Sequence, residues 1–215
     1  RRVACDPSFA ESNDEHGQML LSAIELRHST GQPILIGTRS LAHSERLSGL
    51  LQKHDLPHTV LNARQDEDEA LVVSRAGTQG SITIATNIAG RGTDIPVSAA
   101  IAELGGLHII VADLNDNERV DRQLVGRCAR QGDPGSYEYL LSLEDPLLKR
   151  YAQRSIQGLL VVKSFVGVGL WNRLCLLACR RAQRICARTQ RLTRKRVAAA
   201  DIEMHKRLTF TGYKE

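Results

Sequence analysis

The densest set of side chains able to handle an anion lies between Gln123 and Gly135, in the run QLVGRCARQGDPG. Arg127 and Arg130 stand three residues apart, the spacing that puts two side chains on one face of a helix. Two guanidiniums so placed repel each other unless an anion lies between them. The alternative is a structural ion pair with a carboxylate such as Asp94 or Asp121. A phosphoryl group in its transition state is such an anion, and arginines in that position contribute ~10³–10⁵ in rate. A second run, ATNIAGRGTD from Ala85 to Asp94, sets Arg91 between Gly90 and Gly92. Flanking glycines let the backbone turn tightly and hold the guanidinium close to a ligand. Arg91 would meet phosphate oxygens, and Asp94 would accept hydrogen bonds from a ribose or from a group across a cleft. The plainer reading is a turn with a surface Arg–Asp pair. No GxxxxGK[ST] loop occurs in the sequence. The chain therefore has no standard cradle for β- and γ-phosphates, and ATP chemistry would need a partner domain.

The elements that must hold these residues alternate. A helical pattern over residues 13–30, with Met19, Leu20, Ala23, Ile24 and Leu26 on one face, stops at Gly31-Gln32-Pro33. Ile34-Leu35-Ile36 is a short buried strand, and Ser40 caps a second helix carrying Leu41, Leu47, Leu50 and Leu51. A strand over 58–61, an acid-led helix over Asp66–Ala76 and a strand over 81–85 follow. The glycine-rich loop comes next, then a strand over 107–112, a helix over 118–129 and a last strand over 137–142. Strands alternating with helices imply a parallel sheet covered on both faces. Ligands of such sheets bind at the carboxyl ends of the strands, so the loops after Ile36, Leu61, Ala85 and Ala112 form the functional edge.

Beyond Leu159 the pattern changes. Trp171 to Leu208 contains neither Gly nor Pro, and Leu174, Ala178, Ile185, Leu192 and Ala199 recur at steps of four and seven. This predicts one helix of roughly 55 Å with a narrow apolar seam. A helix of that length must project and pack along something else. We expect two units: an α/β domain over 1–150 and a basic helical arm over 151–215.

Charge follows the same division. Of a net +5, the stretch Pro146–Ala200 contributes 13 Lys and Arg with no Asp or Glu, residues 201–215 balance, and residues 1–145 are left at −8. The arm suits anionic lipid, nucleic acid or an acidic partner, or is the solvated face of a helix packed on the acidic body. Aromatic residues make up 4%, too few for a base-stacking platform, so the core must be aliphatic. Five cysteines without a CxxC pair argue against a disulfide framework and fit a reducing compartment. Cys175, Cys179 and Cys186 recur at helical spacing and read as core packing. The seven histidines lack metal-ligand spacing, so no metal site is expected. The most apolar run, residues 158–171, is too short to span a bilayer and contains Lys163. The chain starts at Arg1, and we expect a segment of a longer protein.

Residues 83–95, TIATNIAGRGTDI, resemble the fifth helicase motif in the form found in SecA-type preprotein translocases. Gly105–Ile110 resembles the strand that follows it there, and Gln123–Gly135 is similar to the sixth motif. Leu141–Asp145 resembles the end of that motor domain. Gly31–Thr38 and Leu61–Arg64 fit upstream, so the likeness covers about residues 16–150. It implies an α/β, RecA-like P-loop NTPase motor domain, the second of two, followed by the start of a long helical scaffold. It also implies that Arg127 and Arg130 are arginine fingers. Gly90, Arg91, Gly92, Thr93, Asp94 and Gln131 would bind nucleotide, and Gln123 would couple the sites. ATP and Mg²⁺ would be held mainly by a first RecA-like motor domain of the same protein. The remaining implied partners are unfolded preprotein and a Sec-type membrane channel, at the inner face of the cell membrane. Anionic lipid is a further candidate for the arm, and the resemblance argues against nucleic acid. The sequence departs from the family at Asp66, at Val111–Asn117, at Val125 where Arg is usual, and at Cys128-Ala129 where Ser-Gly is usual. The link over 153–171 is shorter than the family's. Two other classes remain: a superfamily-2 nucleic-acid helicase domain, and a non-catalytic regulatory motor half.

Overall fold

A computed structural model describes residues 2–61, 74–86, 95–130 and 132–211, with side chains through residue 206. The elements run β1 (Arg2–Ala4), β2 (Ser8–Ala10), α1 (Asn13–Ser29), β3 (Ile34–Thr38), α2 (Leu41–Lys53), β4 (Thr59–Leu61) and β5 (Ile82–Thr86). They continue with α3 (Ala99–Glu103), β6 (Leu107–Val111), α4 (Glu118–Val125), β7 (Gly135–Ser142), α5 (Pro146–Tyr151), α6 (Gln153–Val162), a 3₁₀ turn (Lys163–Phe165) and α7 (Val168–Thr211). Most of the helix expected over Asp66–Ala76 lies outside the described residues.

The sheet has the order β1-β7-β6-β3-β5-β4, and every pairing is parallel. Strand β7 is eight residues long and takes β1 beside Gly135–Tyr137 and β2 beside Leu140–Ser142. Strand periodicity divides the core. Ile34, Ile36, Ile82, Ile84 and Ile110 meet Leu20, Ile24, Leu47 and Leu51 of α1 and α2 on one face. Leu35, Ala85, Ile109 and Val111 meet Leu124 and Val125 of α4 on the other. Parallel strands covered on both faces are near-continuous apolar runs, which is why β3 and β6 are buried from end to end.

Local signals set the helix ends. Ser12 and Ser40 accept hydrogen bonds from the Glu15 and His43 amides, one turn into α1 and α2. Of the expected face of α1, Leu20 and Ile24 are buried and Met19 and Ala23 pack beside them, but Leu26 is 65% exposed, and His16 and Leu21 complete the buried stripe. His108 on β6 is a core residue, bonded to Ser136 Oγ at 2.7 Å and Glu138 Oε1 at 2.8 Å.

Helix α7 is continuous over 44 residues, about 66 Å at 1.5 Å per residue. Its buried seam is Trp171, Cys175, Ala178, Cys179, Ala182 and Cys186. The expected seam differs: Leu192 and Ala199 are exposed, and packing ends near residue 190. The seam meets Phe9, Leu141, Leu147, Leu148 and Ile156 in a third core cluster. Small thiols and alanines let the helix lie close to β2, α5 and α6. Burial pushes the Cys175 thiol up to about 12 and Cys179 higher still, as expected of packing residues. Trp171 Nε1 donates to the Leu159 carbonyl at 3.1 Å, and its ring meets Phe9 edge-on.

Candidate functional site

The functional edge begins with two close approaches of backbone. A Cβ at Gly37 would sit 2.0 Å from Leu124 Cδ2, so glycine in β3 lets α4 settle directly on the sheet. A Cβ at Gly135 would lie 2.8 Å from the Ala129 amide and 2.9 Å from Cys128 Cβ, so glycine there admits the turn after α4 against the start of β7. That turn carries the two predicted arginines.

Helix α4 is shorter than expected. It ends at Val125, and the Gly126 amide still reaches Arg122 O at 2.8 Å, while the Arg127 amide makes a tighter bond to Leu124 O at 2.9 Å. Ala129 then takes a left-handed conformation, φ 56°. Arg127 and Arg130 therefore do not share a helical face, and the chain reverses between them. They converge all the same, because both line one cavity. Arg130 Nε donates to Gly126 O at 3.0 Å, and Arg2 Nη2 holds the turn by donating to Cys128 O at 3.1 Å. Both carboxyl oxygens of Asp121 accept from Asn115 and Gln183, so that acid is committed inside the fold.

The cavity measures about 1060 Å³ and opens at the carboxyl edge of the sheet. Ala85 and Thr86 at the end of β5, Asn115–Asn117 after β6, and Gln123, Arg127 and Arg130 form one side. Ala187, Gln190, Arg191 and Arg194 of α7 form another, and Arg39 completes the wall. Among the described residues, five arginines face it with a single carboxylate, Asp116. Such a lining fits a polyanion: fixed guanidiniums in a recess focus positive potential, and each offers a fork of donors matched to phosphate oxygens. The volume is in the range of small-ligand sites.

Of the expected site residues, the structure brings Gln123, Arg127 and Arg130 together. Gly90, Arg91, Gly92, Thr93, Asp94 and Gln131 lie outside the described residues. The described chain resumes at Ile95, whose neighbours Pro96 and Val97 line a smaller recess with Arg127 and Arg130. Three contributors were missed. Arg39 follows β3 and is braced by Leu114 O at 3.1 Å and Asp145 at 3.3 Å, and its amide reaches Asp113 at 3.0 Å. Its position just past a strand end at the functional edge was the available signal. Arg191 and Arg194 lie far along the chain, and only the fold returns them to the sheet.

Asp113 opens a second recess of about 1000 Å³, between α1, α2 and the start of α5. Burial pushes this carboxyl up, but His43 Nδ1 at 2.5 Å and the Arg39 amide outweigh that and hold it below its ordinary value. His16 lies beside His43 with ring centroids 5.7 Å apart, and burial drives its pKa down. This group acts as a brace that fixes Arg39 at the mouth of the first cavity.

No helix among the described residues is long and apolar enough to cross a membrane. Comparison with solved structures bears on the fold. The chain aligns with a structure of the E. coli DEAD-box protein SrmB at TM-score 0.54 and 21% identity, over 72% of this chain and 87% of that one. The yeast DEAD-box splicing factor Prp28 aligns at TM-score 0.52 and 21% identity, over 73% of this chain and 32% of the other. The fold is thus RecA-like, with a long helix appended. Sequence relatives are nearer. Protein translocase subunit SecA 3 of Magnetococcus marinus is 44% identical over 91% of this chain and 30% of its own length. Protein translocase subunit SecA 2 of Bordetella avium is 49% identical over 86% of this chain and 28% of its own. The chain thus spans less than a third of the length of these relatives. The family model for the SecA P-loop domain matches residues 2–103 and 96–165, and the chain belongs to that family.

Proposed function

We propose that this chain is the second motor half of a SecA-type protein-translocating ATPase. In this reading Arg127 and Arg130 act as arginine fingers on a triphosphate presented by a first RecA-like domain of the same protein. The observation that carries the proposal is the arginine-lined cavity at the carboxyl edge of a RecA-like sheet. A guanidinium there does no covalent chemistry. It stabilises charge that spreads over the phosphoryl oxygens as the bond to the leaving group lengthens, and it does so from a position fixed before the reaction. The bond from Arg130 Nε to Gly126 O fixes the direction of that side chain. Gly90–Asp94 and Gln131 would complete the nucleotide contacts, and Gln123 would report their state to the neighbouring domain.

ATP and Mg²⁺ are assigned mainly to the first motor domain, where Mg²⁺ would offset charge on the phosphates. The motor unit of residues 1–150 and the basic arm of 151–215 form one device that turns nucleotide state into movement of the arm. Its cargo would be unfolded preprotein, pushed through a Sec-type channel by a protein seated at the inner face of the cell membrane. The names of the relatives, all protein translocase subunits, support this cargo over nucleic acid.

The test is ATP turnover by the full-length protein stimulated by unfolded polypeptide. Arg127→Ala and Arg130→Ala should each lower it by about 10³ or more while thermal unfolding changes little. Turnover near the unaltered rate in both variants would refute the finger assignment. Stimulation by RNA or DNA instead of polypeptide would shift the reading to a helicase.

A further inference from the structure

The inner half of α7 packs on the body through Trp171, cysteines and alanines, yet a polar side chain stands among them: Gln183 is 2% exposed. A buried amide must find partners or bear the cost of its desolvation. This one finds both on the segment that leads into α4. Gln183 Nε2 donates to Asn115 O at 2.9 Å and to Asp121 Oδ2 at 2.5 Å. Asp121 Oδ1 accepts from the Asn115 amide at 3.2 Å and from Asn115 Nδ2 at 2.6 Å. Asn115 and Asp121 are themselves buried. Two turns further along α7, Gln190 Nε2 donates to Asp116 Oδ2 at 2.7 Å, a second clasp on the same segment. A buried carboxyl network adds little net stability over apolar packing of the same shape, whereas breaking one side of it is costly. What it adds is geometry: donors from two elements on one carboxyl group fix the rotation of α7 against the start of α4.

We propose that Gln183 is a positioning residue of the motor, holding α4, and with it Arg127, in register with α7. The inference rests on the reading of Arg127 and Arg130 as fingers and deepens it. Gln183 does not line the arginine-rich cavity, so it acts through Asp121 and not on a ligand. Asp121 and Leu124 belong to the same short helix. Leu124 sits against Gly37, and its carbonyl accepts from the Arg127 amide at 2.9 Å. A shift of α4 at Asp121 is therefore carried to Arg127 through the end of one short helix. A displacement of about 1 Å at a positioned group can cost on the order of 10² in rate. The loss falls on kcat more than on nucleotide binding, since a finger acts mainly in the transition state. Movement of α7 that strains the clasp reaches the site by the same path, with no contact between Gln183 and nucleotide.

The experiment is steady-state ATP turnover by the full-length protein, stimulated by unfolded polypeptide, with kcat and the KM for ATP measured separately. Gln183→Met keeps the length of the side chain and removes its donors. It should lower kcat about tenfold and change KM less than about twofold. Asp121→Asn breaks the same bond from the other side, by setting a second donor against Gln183 Nε2, and should lower kcat alike. The double variant should be no worse than either single one, because both remove one interaction. A buried clasp also supports the fold, so Cys179→Ala is the control: it weakens the same seam one turn away and leaves the clasp intact. All forms are melted, and turnover is read below every transition. Cys179→Ala should keep kcat within about twofold of the unaltered protein. Hydrogen exchange should quicken in α4 in Gln183→Met and not in Cys179→Ala. Unaltered kcat in Gln183→Met and Asp121→Asn, a loss of kcat matched by Cys179→Ala, or a raised KM with kcat unchanged each overturns the inference, and the motor reading stands if Arg127→Ala and Arg130→Ala remain inactive. Unaltered turnover in those two arginine variants removes the motor reading and the inference together.

Discussion

Ala129 is the residue at which local energetics and site geometry meet. It holds φ 56°, a region that costs an L-residue roughly 1–2 kcal/mol, and it does so between the two arginines. Its strain is over-determined by its surroundings: Gly135 packs on the Ala129 amide, Arg2 binds the carbonyl of Cys128, and the Arg130 side chain returns to Gly126 O. Ala129→Gly should therefore raise stability by about 0.5–1 kcal/mol, the relief of strain being partly offset by the freer unfolded chain. Urea unfolding of the two forms checks this, and a loss of stability would contradict it. Residue type and helical spacing singled out Arg127 and Arg130 in the sequence, and the structure brings both to one cavity without placing them on one helical face. The reversal between them was not legible, since helical spacing from Glu118 onward continues smoothly through Gly126. Arg39, Arg191 and Arg194 look like surface cations in the sequence, because what distinguishes them is proximity across 150 residues of chain.

Helix α7 divides into two halves with different environments. From Trp171 to Gln190 one face is buried, and beyond Arg191 every described side chain is exposed. Hydrogen exchange on this chain should show slow amides in the first half and fast ones after about residue 191, because isolated helix ends without tertiary packing fray. Uniform protection through residue 205 would require a packing partner, such as a second copy. The long helix was predicted from the absence of Gly and Pro. Ala178 and the three cysteines read as core packing, Cys175, Cys179 and Cys186, do lie in the seam, whereas Leu192 and Ala199 fall beyond the point where the body ends and are exposed. At the clasp, burial raises Asp121 to about 6, although bonds from Asn115 and Gln183 pull the other way. The folded value exceeds the unfolded one near 3.8, so the native state binds the proton more tightly between them. Stability conferred by this group is therefore present at low pH and lost as pH rises through about 6. Relative to Asp121→Asn, the unaltered chain should lose on the order of 2–3 kcal/mol between pH 4 and pH 7.5. A difference between the two forms that is flat with pH would contradict this.

At the scale of the whole molecule, an acidic RecA-like body carries a basic helix whose inner half packs on the body and whose outer half extends away from it. The fold class was legible because strand–helix alternation and the buried runs of β3 and β6 constrain it strongly. The joining of arm and motor at one cavity was not, since charge segregation along the sequence suggests two independent surfaces. In the folded chain the arm's cations are split between a cavity at the sheet edge, lined by Arg191 and Arg194, and an exposed outer stretch of α7. The proposed function requires one arrangement, in which the guanidiniums of Arg127 and Arg130 face a triphosphate that another domain presents. A structure of the full-length protein with a non-hydrolysable ATP analogue measures it directly. We predict terminal nitrogens of Arg127 and Arg130 within about 3 Å of γ-phosphate oxygens, a charge-assisted hydrogen-bond distance. A nucleotide bound with its phosphates away from this cavity, and both arginines paired to carboxylates of their own domain, would contradict the account.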